Sequence, residues 1–592
     1  MQDNRSSLKP LPVPSLDATL PALRRVVSAV TDSETLAATD RAIEDFQTGQ
    51  GPSLQSALEE FAADRDAVHS SWLADRWLRD YLTVRTPLQS TTNVGFQINL
   101  RTATNGLDRA VDIVRALALV HLQQADGSMP EEIDGRGNPI DANQWRCFNG
   151  ALRIPRPECD EVAFSELGVE SRSIGVIVDG YIFDMPITDE QGKLASREQL
   201  RATLQDLRSA GAANTASQPT GCLDTRLSYL GSEALAELPL PDSTQGILRD
   251  QLFGLHLVDD ADTCNADLLR KHTFEPGHAW VYKPLTYEIN LASDFVAMHV
   301  EHSTIDGATL VEAMRRVQEA ADETANADVV SIDAGTPGLQ LSPIPDVDHP
   351  KAASTFNPAH KDHEYEVRIV EVPKLAREEL PFKVSADAMS QLILSIAQQL
   401  TFGHIRAVYE AVDMREYKAG RTECLRAVTP EAVAFAQRVV ATASETDSAI
   451  TGEEKRKLVE GLQAALNAHR EWVIGCKTGQ GIDRHLWALA FTAEKCEEKP
   501  TDGSAPLPLL ADPGVVAART DFLSTTSIGS DAHIIRYTFA PTVPHGYGVN
   551  YTPKAHSIEY CLTFRRSEAE KPEEFQDNLT RAAELLAQVL KF

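Results

Sequence analysis

Apolar side chains along this chain fall into two patterns, short near-continuous runs and longer stretches of helical spacing, and the two interleave from end to end. Phe295, Val296, Ala297, Met298 and Val300 predict a buried strand, and Leu310, Val311, Met314 and Val317 predict a helix over 309–319. Glu301-His302 stands where that strand runs out, and Asp306-Gly307 stands just ahead of the helix. A side chain at such a junction is held rigidly and still meets solvent or a ligand. An imidazole placed there can act as a general base near neutral pH. Residues 285–291 and 295–300 read as a hairpin that delivers His302. Residues 172–183 read as another, around Asp179-Gly180, a dipeptide suited to the positive φ of a tight turn.

The remaining pattern organises the chain around that junction. Residues 1–15 read as an extended strap and 16–82 as helical, with Thr31 and Glu34 as a capping box and Gly49 and Gly51 as stops. Trp72, Trp77 and Tyr81 sit near helical spacing and read as core. Helices are predicted over 107–122, through Leu200, Leu204 and Leu207, and from Ser385 to a stop at Gly403, with another over 458–466. Residues 326–362 are rich in Asp, Pro, Ala and Gly and read as a linker, which puts the main boundary at 345/346. A proline-rich loop is expected over 497–514, and strands over 534–539 and 557–564, separated by PTVPHGYGVNY. An amphipathic helix through Phe575, Leu579, Ala582, Leu586 and Val589 closes the chain. This is an α/β pattern.

Composition narrows the function. With 592 residues the chain can bury sizeable cores, and a formal charge of −30 argues against nucleic acid or an anionic membrane as partner. The eight cysteines are dispersed without a CxxC pair, so neither a disulfide framework nor a zinc site is expected, and the metal expectation is none. The first residues carry no apolar signal core and no run is long enough to span a bilayer, so a cytoplasmic location is expected. Neither GxGxxG nor GxxxxGK[ST] occurs.

Several stretches together resemble the carnitine/choline acyltransferase family: LPVPSLDATL, SWLADRWLRDYLTVRTPL, FNGALRIPRPECDE, EHSTIDG, YEAVDMREYKAGRTECLR, GQGIDRHLWAL, STTS at 524–527 and PTVPHGYGVNY. They occur in the family's order. The resemblance implies two α/β domains of related topology, akin to chloramphenicol acetyltransferase, with mixed sheets and an active-site tunnel between them. It implies an N-terminal helical segment (1–84) packed on the C-terminal domain (346–592), with 85–345 carrying the histidine. The implied reaction is reversible transfer of an acyl group between coenzyme A and the hydroxyl of carnitine, without an acyl-enzyme. No tightly bound cofactor is implied, since acyl-CoA is a substrate, and a monomer is expected.

Residue by residue, the resemblance makes His302 the base and Asp306 its orienting or bracing partner. Counting back from Pro544 lays the family's Ser-Thr-Ser on Thr525-Thr526-Ser527, which gives Ser527 the oxyanion and Thr525 a carnitine contact. Counting forward from Leu523 gives Ser524-Thr525-Thr526 instead. Tyr409, Thr422 and Arg484 match the carboxylate contacts of carnitine, and Arg484 marks the carnitine type, because choline carries no carboxylate for a guanidinium fork to grip. Lys383, Ser385, Asp387 and Arg470 match coenzyme A contacts. Tyr537 falls at the acyl-length gate, where its bulk favours short acyl groups. There are departures: a family serine is Ala411, and two lysines aimed at the 3′-phosphate are Ala376 and Leu380, with Arg377 a candidate replacement. Those losses motivate a second reading, the same scaffold with an acyl carrier protein as donor or a different alcohol or amine acceptor. A non-catalytic binding protein is a third, against which the retained His302, Asp306, Tyr409, Thr422 and Arg484 count.

Overall fold

The computed structural model describes residues 4–212, 221–327, 338–345, 364–374, 384–443, 450–496 and 507–592. Two mixed sheets dominate. The larger runs, edge to edge, Ile534–Phe539, Val94–Ile98, Val296–Val300, Leu285–Asn290, Gly254–Val258, Ser173–Val178, Tyr181–Pro186 and Ser342–Pro343. Val94–Ile98 is antiparallel to both its neighbours, whereas Gly254–Val258 is parallel to both of its own. The smaller sheet runs Tyr365–Pro373, Ser557–Arg565, Tyr547–Pro553, Leu523–Thr526, Val408–Asp413 and Thr422–Arg426.

Each sheet buries its own apolar layer. Helices Gly106–Ala125 and Gly307–Ala327 pack Val111, Val114, Leu310 and Met314 against Phe96, Tyr287 and Met298 of the larger sheet. Helices Ala386–Phe402 and Pro572–Val589 pack Leu394, Ile396, Leu579 and Leu586 against Val549, Tyr551 and Tyr560 of the smaller. The first helix, Leu16–Val30, packs Leu20, Leu23 and Val27 with Leu486, Leu489 and Val515 from far along the chain. Ile534–Phe539 follows the smaller sheet's Leu523–Thr526 in sequence yet hydrogen-bonds at the edge of the larger one. That crossing strand ties the two halves around a shared cavity.

Both expected hairpins form, and Asp179 and Gly180 take φ of 49° and 82° in the turn between Ser173–Val178 and Tyr181–Pro186. Ser385 caps its helix by accepting from the Ala388 amide, and Gly403 ends it at φ 76°. Three expectations are corrected. Asp32, not Thr31, caps Ser33–Thr48 through the Thr35 amide, because Thr31 still closes the preceding helix with its hydroxyl on Val27 O. Within 507–514, Asp512 caps a helix, Pro513–Arg519, where a loop was expected. Tyr547–Pro553, most of it in the stretch expected only to separate two strands, is itself an inner strand buried on both faces; Tyr547, Val549 and Tyr551 alternate with Gly548, Asn550 and Thr552, small and polar residues that disguise it as a connection.

Candidate active site

The strand Val296–Val300 ends two residues before His302, and the loop that follows folds back so that His302 Nδ1 lies 2.6 Å from the Ile305 carbonyl oxygen. A carbonyl only accepts, so Nδ1 carries the proton and Nε2 is left as a free lone pair. The loop is fixed from three sides. Gln144 donates to Asp306 Oδ2 at 2.8 Å and accepts from the Asp306 amide at 2.8 Å. Arg421, from the far side of the chain, grips both Asp306 oxygens at 2.6 and 2.9 Å and donates to the carbonyls of Ser303 and His302 at 2.6 and 3.1 Å. Tyr81 meets the His302 ring edge-to-face at 5.6 Å. Burial pushes the Asp306 carboxyl up, but the Arg421 guanidinium outweighs it and holds the group below the usual carboxylate range. Asp306 therefore stays ionised as a brace; its nearer oxygen is 3.8 Å from His302 Nδ1, whose hydrogen bond goes to Ile305.

Opposite His302, the short strand Leu523–Thr526 alternates its side chains. Thr525 turns away: its hydroxyl donates to Tyr409 O at 2.8 Å and accepts from Gln391 at 2.8 Å, and the residue is fully buried. Ser524 and Thr526 share the other face, and Tyr537 donates its hydroxyl to Thr526 Oγ1. Ser527 lies beyond the strand end, where its Oγ accepts the Gly529 amide at 3.2 Å. Ser527 nonetheless lines the same cavity as Ser524 and Thr526, so both registers put a hydroxyl into it. Thr525 has no hydroxyl proton left for a ligand, because that proton is spent on Tyr409 O.

Arg484 donates to Tyr409 Oη at 3.0 Å and to Thr422 at 3.3 Å (Oγ1) and 2.9 Å (O). It stands behind those two hydroxyls, which themselves line the cavity. A guanidinium saturating an oxygen's lone pair leaves that hydroxyl's proton to point outward, so Tyr409 and Thr422 become two polarised donors. This corrects the expected direct fork on a carboxylate: Arg484 is not among the lining residues, and its charge acts through its neighbours. Burial pushes the adjacent Glu423 carboxyl up to about 7, against the pull of Arg484. Only partly ionised near neutrality, it offsets the arginine's positive charge only in part.

One cavity of about 470 Å³ is lined among others by His302, Tyr409, Thr422, Ser524, Thr526, Ser527 and Tyr537. Trp77 and Tyr81 line it too, although their spacing reads as core. Trp77 lies under both guanidinia, 5.0 Å from Arg421 and 4.7 Å from Arg484, and stacks on Tyr81 at 5.8 Å. The signal was an aromatic pair four residues apart on one short helix, Ala74–Leu82, which places both rings on one face. Tyr537, expected at the acyl-length gate, stacks on its strand partner Phe96 at 4.7 Å.

Of the residues matched to coenzyme A, the described ones lie elsewhere. Ser385 is engaged as a helix cap, and Asp387 accepts from His469 Nε2 at 2.9 Å and from the Tyr551 hydroxyl. Arg470, next to His469, is exposed. None of the three lines the cavity. Lys383 and Arg377, like Ala376 and Leu380, lie outside the described residues. Among the described residues no helix is long and apolar enough to cross a membrane.

A histidine base held by its own loop, facing a row of hydroxyls across a two-sheet cavity, is the layout of a transferase that deprotonates an acceptor. The family model for choline/carnitine O-acyltransferase matches residues 11–581, and the chain belongs to that family of acyltransferases. It is 24% identical over 598 residues to the carnitine O-acetyltransferase of Homo sapiens, spanning 96% of this chain and 91% of that one. Against the mitochondrial carnitine O-palmitoyltransferase 2 of Bos taurus it is 26% identical over 605 residues, covering 93% and 87%. A solved structure, the trichothecene 15-O-acetyltransferase TRI3 of Fusarium sporotrichioides, is 8% identical with a TM-score of 0.40, covering 88% of this chain and 94% of that one.

Proposed function

We propose that this enzyme moves a short acyl group reversibly between coenzyme A and the hydroxyl of carnitine. One observation carries the reading: a single cavity joins His302 to the Tyr409 and Thr422 hydroxyls backed by Arg484. The two hydroxyls take the carnitine carboxylate and so point its hydroxyl at His302 Nε2. His302 removes that proton as the oxygen attacks the thioester carbonyl. The resulting oxyanion takes the Thr526 hydroxyl proton as a hydrogen bond, since Tyr537 already fills a Thr526 lone pair; a donor of this kind is worth roughly 10²–10³-fold in rate. Collapse breaks the carbon–sulfur bond, and the thiolate recovers the proton from His302.

A thiol-release assay with acetyl-CoA tests the acceptor. Carnitine should turn over and choline should not; faster turnover with choline would overturn the reading. Arg484→Asn should raise the KM for carnitine by roughly 10–100-fold with little change in kcat, since a unit charge one hydroxyl behind the carboxylate attracts it by about 2–3 kcal/mol at an effective dielectric of ~20. The acyl end of the cavity is bounded by Val94, Phe96, Val311, Ile528 and Tyr537. Wild-type enzyme should therefore prefer acetyl- to decanoyl-CoA, and Tyr537→Gly should shift the ratio of their kcat/KM values toward decanoyl. A wild type that prefers decanoyl removes Tyr537 as the gate.

A further inference from the structure

Away from the catalytic cavity, three imidazoles converge on one buried carboxylate. Glu288, on Leu285–Asn290, is 1% exposed and lies opposite His256 across a parallel strand pair. His256 Nδ1 and His278 Nδ1 stand 2.8 and 2.7 Å from Glu288 Oε2, and His272 Nδ1 stands 3.3 Å from the same oxygen. The other oxygen, Oε1, is buried with no hydrogen-bond partner among the described residues. Crowding every donor on one oxygen while the other has none costs about 1–3 kcal/mol for the unmet group. A ligand that takes carboxylate and imidazole together relieves both.

We propose that His256, His278 and Glu288 bind one divalent transition-metal ion of the zinc class. Their ligand atoms already lie within 4.8 Å of one another. A tetrahedral ion bound at about 2.0–2.2 Å sets its ligand atoms roughly 3.3 Å apart, so each imidazole nitrogen moves about half an ångström away from Glu288 Oε2 to seat it. Two imidazoles with one carboxylate is a donor set for zinc and its first-row neighbours rather than for calcium or magnesium, which take oxygen. Glu288 forms the floor, and the side chains of His256 and His278 are 13% and 18% exposed, so the ion has a path in and a fourth position for water. The other three-donor cluster among the described residues, Asp387, Glu410 and His469, differs: Gln391, Tyr551 and His469 already meet its carboxylates. The bound ion joins Gly254–Val258, Leu285–Asn290 and the segment after helix Asn265–Phe274, next to the strand that leads to His302.

The full chain, stripped with a chelator and dialysed, is titrated with Co²⁺ while its visible ligand-field spectrum is followed, then challenged with Zn²⁺. One Co²⁺ per chain is expected, displaced by Zn²⁺, with a rise in Tm. His278→Gln, whose side chain is 18% exposed, should weaken binding by about 100-fold or more, beyond the roughly 10–100-fold loss of an outer-shell partner. Glu288→Gln should do the same, and His469→Gln should leave the spectrum unchanged. Absence of one-to-one binding, wild-type affinity in His278→Gln, or loss of the spectrum in His469→Gln each overturns the site.

Discussion

Replacing His302 with alanine should lower kcat for acyl transfer by roughly 10²–10⁴-fold, the share a positioned general base contributes. The KM for carnitine should stay within a fewfold of wild type, because in the proposed binding mode the acceptor's carboxylate rests on Tyr409 and Thr422, which line the same cavity. The prediction rests on the Nδ1 bond to Ile305, which commits the ring to a tautomer whose Nε2 accepts a proton. His302→Gln can donate through its amide but cannot carry a proton away, so it should be as slow as alanine. Steady-state kinetics across pH check this, and a variant within tenfold of wild type would assign the proton transfer to another group.

The strand-to-helix junction at His302 was legible because its apolar run is continuous and the next helix keeps strict spacing. The hairpins were legible for the same local reason. What stayed hidden depends on contacts between distant segments. That Ile534–Phe539 joins the larger sheet cannot be read from its own residues, since an edge strand has the same alternation in either sheet. Tyr547–Pro553 was hidden because a strand covered on both faces tolerates the small and polar residues that otherwise mark turns.

At the site, a motif supplies residue types but not which way they face. Thr525 and Thr526 are chemically alike, and only the pleat sends one hydroxyl to Gln391 and the other to the cavity. Arg484 was legible as a cation but not as one acting through two hydroxyls. Arg421 lies one residue before Thr422, and nothing local distinguishes it from a surface charge. Its role exists only because the fold brings it to Asp306, 115 residues away in sequence.

That pair sets the second large expectation. Arg421→Met leaves Asp306 ionised, 3% exposed and without its cation, and should cost about 3–5 kcal/mol of stability at pH 7. It should also lower kcat, since the carbonyls of His302 and Ser303 lose the donors that hold the loop. Asp306→Asn in the same chain removes the stranded charge and should recover part of the stability but little of the rate, which separates the electrostatic debt from the positioning role. The sign with pH follows from the depressed Asp306 carboxyl. In wild type the stabilisation is fully present above the unfolded carboxyl value, about 3.9, and is lost as pH falls through the lower folded value. In Arg421→Met the buried carboxylate is instead protonated early as acid is added, which removes its penalty. The stability gap between the two proteins should therefore be widest near neutrality and narrow below about pH 4. Denaturant unfolding at a series of pH values measures it; a gap under 1 kcal/mol at pH 7, or one that widens in acid, would mean that Arg421 does not brace the histidine loop through Asp306.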